Sequence, residues 1–96
     1  MPPQTIEGKY IRFTKSATID QRAEFTTTLH TIIAGGKIKG LAANIRFHLK
    51  TACDDGIIEL SGSDKDIHQE LVNDWGYQQG YNTFMNGEPK LPRKRY

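Results

Sequence analysis

Apolar residues recur along the chain with two different periods, and the change from one to the other predicts the elements. Over residues 9–15, Ile11 and Phe13 alternate with Tyr10, Arg12 and Thr14, the period of a strand with one buried face. Phe25, Leu29, Ile32 and Ile33 then repeat at helical spacing, with Ile19 extending the stripe. Thr18 and Gln21 fit a capping box at the start of that helix, and Gly35-Gly36 gives a stop after Ala34. Thr26, Thr27 and Thr28 are poor helix formers because branched side chains lose rotamer freedom, but the stripe outweighs them.

Residues 43–50 show the clearest alternation. Ala43, Ile45, Phe47 and Leu49 interleave with Asn44, Arg46, His48 and Lys50, which predicts a strand buried on one face and wet on the other. Gly40 marks a bend before it, Asp54-Asp55-Gly56 a turn after it, and Ile58 and Leu60 a short second strand of a hairpin. Residues 61–64, Ser-Gly-Ser-Asp, then cap a helix whose apolar line is Ile67, Leu71 and Trp75, with Val72 beside it. Asp66, Glu70 and Asp74 run one residue earlier at the same spacing as an acidic stripe. Gly76 and Gly80 offer helix ends, residues 81–85 suit a short last strand, and Asn86-Gly87 turns into a basic, Pro-containing segment.

The expected order is therefore β-α-β-β-α, with or without a final strand. Its economical packing is an α+β two-layer sandwich, an antiparallel sheet with two helices on one face in the ferredoxin-like arrangement. With 96 residues the chain has room for a single domain. We place that domain at residues 1–87, with a loose arm over residues 1–8 and a flexible basic tail over residues 88–96.

Composition narrows the function classes. Cys53 is the sole cysteine, so no disulfide can form within the chain and a Cys-ligated zinc site is not expected. No long apolar run or export-signal pattern is present, and a reducing, cytoplasmic location is the expectation. The net charge is only +2, but it is unevenly spread. Lys37, Lys39, Arg46 and Lys50 are followed by the acid-rich residues 54–74, and Lys90, Arg93, Lys94 and Arg95 gather at the end.

Catalytic patterns are missing. His30, His48 and His68 have no metal-ligand spacing, and no nucleophile elbow or phosphate loop occurs. Gly35-Gly36-Lys37 follows a helix, whereas a phosphate loop precedes one. Asp54 and Asp55 are neighbours in a turn and do not face a shared substrate. No catalytic residue, cofactor or metal is predicted.

Ala43-Asn44-Ile45, the string Gly56-Ile57-Ile58-Glu59-Leu60-Ser61-Gly62 and the amphipathic helix after it resemble the NIL domain. The similarity covers roughly residues 41–75. It implies a ferredoxin-like regulatory or ligand-binding module that pairs through its sheet, and it carries over no binding residue.

These readings lead to a non-enzymatic binding or regulatory module acting by protein–protein contact as a homodimer. Asp66, Glu70 and Asp74 are the candidate contacts for a basic partner, and Tyr77 and Tyr81 the candidate aromatic anchors. The alternative is nucleic-acid binding, with Tyr10, Arg12, Arg46, His48 and Lys50 on an open sheet face and Arg93, Lys94 and Arg95 adding phosphate contacts. No membrane partner is expected.

Overall fold

The computed structural model describes residues 7–36 and 39–92. Its elements follow the order β1 (Ile11–Phe13), α1 (Ile19–Ile33), α2 (Leu41–Asp54), β2 (Ile58–Leu60), α3 (Asp64–Trp75) and α4 (Tyr81–Met85). The protein is a small α+β fold with a two-stranded antiparallel sheet.

The strand expected over residues 43–50 is the middle of helix α2. Ile45 and Leu49 satisfy either period. A strand would also need Phe47 inside, whereas a helix needs Leu41, Ala42 and Ala52 there. The helix buries Leu41, Ala42, Ile45, Arg46, Leu49 and Ala52 and turns Phe47 outward. Leucine and alanine are strong helix formers, and a segment of 14 residues exceeds the usual strand of about 5–6. Gly40 is the N-cap, at φ 86°, a left-handed conformation that suits glycine. With α2 helical, the order is β-α-α-β-α-α and not the ferredoxin-like order the alternation predicts. Ala43-Asn44-Ile45 of the NIL-like pattern lies in the first turns of α2.

β2 pairs with β1 and not with the preceding segment: Ile11 stands opposite Leu60, Arg12 opposite Glu59 and Phe13 opposite Ile58. The alternation read in both strands holds, since Ile11, Phe13, Ile58 and Leu60 are all buried. Residues 81–85 are the short helix α4 and not a last strand.

Helices α1 and α3 match their sequence signals. Thr18 accepts from Gln21 N and donates its own backbone N–H to the Gln21 side chain, and Ser63 and Asp66 make the equivalent box before α3. Each box satisfies two amides that a helix start leaves open. Phe25, Leu29 and Ile33 of α1 join Ile45, Leu49, Ile67, Leu71 and Trp75 in one core. Ile19, read as part of that stripe, is 84% exposed, because its position in the first turn lies beyond the packed part of the helix. Leu91, in the segment read as a tail, packs against the core.

Candidate protein interface

The predicted basic sheet face does not assemble. Arg12 is exposed and Tyr10 half-buried at the sheet, while Arg46, His48 and Lys50 sit on helix α2, where each has a different environment. Arg46 is 1% exposed. Its Nε donates to Phe84 O at 2.6 Å, and its guanidinium lies 4.3 Å over the Phe84 ring. A buried cation requires such partners to offset the loss of water, so this arginine fastens α4 to α2. Lys50 forms an ion pair with Asp54 at 2.6 Å, one helical turn on. Arg93, Lys94 and Arg95 lie outside the described residues.

His48 enters a cleft between α1 and α2. Its ring stacks on Phe25, with centroids 4.8 Å apart and planes at 15°, and its Nε2 is 3.3 Å from Phe25 O. Donation to that carbonyl puts the proton on Nε2. Burial lowers the imidazole pKa below its ordinary value, opposed by the Phe25 carbonyl and by the negative charge of Glu24.

The acidic stripe is mostly taken up by the fold. Asp66 Oδ2 accepts from Ser63 N at 2.9 Å and from Ser63 Oγ at 3.0 Å. Glu70 is 6% exposed, and its carboxylate accepts from Tyr10 N at 2.7 Å and Ile11 N at 2.9 Å. It thereby satisfies backbone donors at the outer edge of β1. Of the three acids only Asp74 is exposed. The aromatic anchors divide similarly. Tyr77 is 2% exposed, donates its hydroxyl to Gln79 Oε1 at 3.0 Å and packs edge-on against Phe84 and His68. Burial raises its phenol pKa, with Arg46 opposing. Tyr81 is 37% exposed, its ring against His68.

One aromatic that the alternation assigned to the core is at the surface. Phe47 is 64% exposed, whereas Phe13, Phe25, Phe84 and Trp75 are buried. Its helical neighbours at three- and four-residue spacing are Ala43, Asn44, Lys50 and Thr51, so a ring stands amid small and polar side chains. That composition, an apolar centre with a polar rim, is the one protein interfaces favour. Helical geometry makes it legible: two residues on from Ile45 is a rotation of about 200°, the side opposite the core.

Among the described residues no group of three or more His, Cys, Asp or Glu side chains is placed to hold a metal ion, and no helix is long and apolar enough to cross a membrane. No family model, no curated protein and no solved structure matches the chain.

Proposed function

We propose that this chain is a small non-enzymatic binding module of the cytoplasm that acts by protein–protein contact, as a homodimer centred on the outer face of α2. The observation that carries the reading is Phe47, a large ring 64% exposed on a helix whose other outward residues are small or polar. Full burial of a phenylalanine contributes about 1.5–3 kcal/mol, so a ring already largely packed by its own fold has little left to give, and Phe47 has most of it. Ala43 and Asn44, one turn away, leave room for a second helix to approach.

Light scattering and sedimentation on the full chain test this. The expected result is a dimer in the micromolar range, reduced to a monomer by Phe47→Ser with unchanged circular dichroism. A monomeric wild type removes the homodimer, and a Phe47→Ser variant that still dimerises removes α2 as its seat.

A further inference from the structure

The cleft between α1 and α2 has a chemistry distinct from the Phe47 face. It encloses about 360 Å³, in the size range of small-ligand pockets, about 300–1,000 Å³. Glu24 and Asp55 stand on its rim, Phe25 and His48 form an aromatic wall, and Gln21 and Thr51 add an amide and a hydroxyl. Its charged side chains are all anionic. Two cations on the same helices are engaged by other groups: Arg22 gives its Nε to Ala17 O and an Nη to Thr14 O, and Lys50 is held by Asp54. Glu24 and Asp55 themselves make no ion pair among the described residues.

His48 adds to the bias. Its stacked position and the Phe25 carbonyl leave Nδ1 as a lone-pair acceptor, and burial disfavours the imidazolium, which would repel a cation. Ala52 and Ile57 supply apolar lining beside it.

We infer that the α1–α2 cleft is a binding site for an organic cation, an alkylammonium or alkylguanidinium whose head lies between Glu24 and Asp55 and whose aliphatic stem lies along His48, Phe25 and Ile57. Two carboxylates attract the head, ring faces accommodate a cation and its methylenes, and acceptors are in excess of donors. The same head group comes from a free amine or from a lysine or arginine side chain of a partner protein, and the cleft chemistry is common to both.

The test is a titration of the full chain followed by the His48 Cε1–H resonance. The probes are agmatine, the peptide acetyl-Gly-Arg-Gly-amide, n-butanol as neutral control and butyrate as anionic control. Agmatine and the peptide should give saturable shifts at millimolar concentration, and the two controls none. Tighter binding of agmatine assigns the site to free amines, and tighter binding of the peptide assigns it to a partner's side chain. Glu24→Gln and Asp55→Asn, both at exposed positions, should each weaken binding about two- to fivefold, as expected of exposed ion pairs. A Trp75 emission spectrum unchanged from wild type is the check that these variants are folded. Equal shifts with n-butanol, no saturable shift with either cation, or undiminished binding in the double variant overturns the inference.

Discussion

Replacing Glu70 by glutamine removes one charge and no volume, so its cost isolates the carboxylate's role at the β1 edge. Each carboxylate oxygen accepts one backbone N–H, Tyr10 at 2.7 Å and Ile11 at 2.9 Å, in a site that is 6% exposed. An amide keeps one acceptor and turns an NH₂ group toward the other backbone donor. One hydrogen bond is lost, the other ceases to be charge-assisted, and a buried donor faces a donor. Hydrogen bonds to charged groups contribute about 1.5–3 kcal/mol each, so Glu70→Gln should cost about 2–4 kcal/mol. That is a large share of the roughly 5–15 kcal/mol that holds a domain together, and it corresponds to a fall in Tm of about 10–30 °C at this size. Urea unfolding followed by Trp75 fluorescence measures it, because this single tryptophan is buried against Phe25 and His30. Asp74→Asn, from the same stripe but exposed, is the control and should stay within about 0.5 kcal/mol of wild type. A Glu70→Gln variant as stable as that control would refute the assignment.

Three further perturbations follow from the packing. His48 has a folded-state pKa below its ordinary value of 6.5, so the unfolded chain binds the extra proton more readily. The stabilisation is present above pH 6.5 and is lost as the pH falls below it toward the folded-state pKa; urea midpoints at pH 7.5 and 5.5 should fall for wild type and differ less for His48→Gln. A Cβ on Gly87 would stand 2.8 Å from Arg46 Cδ and 2.9 Å from its Nε, so Gly87→Ala should destabilise by about 1–3 kcal/mol through overpacking, read in the same urea assay. Thr18→Ala removes the capping box of α1 and should cost about 1 kcal/mol, visible as a lower midpoint with an unchanged slope.

The parts of the fold written in local signals were legible. The capping box before α1, the Ser-Gly-Ser-Asp start of α3, two apolar stripes and the alternation in β1 and β2 each state their element within a few residues. Residues 43–50 were not, because Ile45 and Leu49, four apart, fit both periods, and Phe47 decides between them only if its exposure is known. Arg46 adds to the ambiguity. A long charged side chain reads as a wet position, yet here it is sealed beneath Phe84. Glu70 was visible as an acid on α3 but not as an acceptor for Tyr10, about sixty residues earlier in the chain, since nothing local encodes that partner. The cleft between α1 and α2 was illegible for the same reason: Glu24 and Asp55 come together only when residues 43–50 form a helix beside α1.

The Arg46 fastening also constrains the order in which the molecule can complete itself. Its carbonyl acceptor and covering ring both belong to Phe84, close to the end of the described chain. Until that residue is available, α2 carries a guanidinium on the side it must turn inward, and hydration of that group opposes docking. It follows that α2 cannot finish closing onto its neighbours before residues 81–85 are in place, so the docking of this helix waits on a partner 38 residues further along the chain.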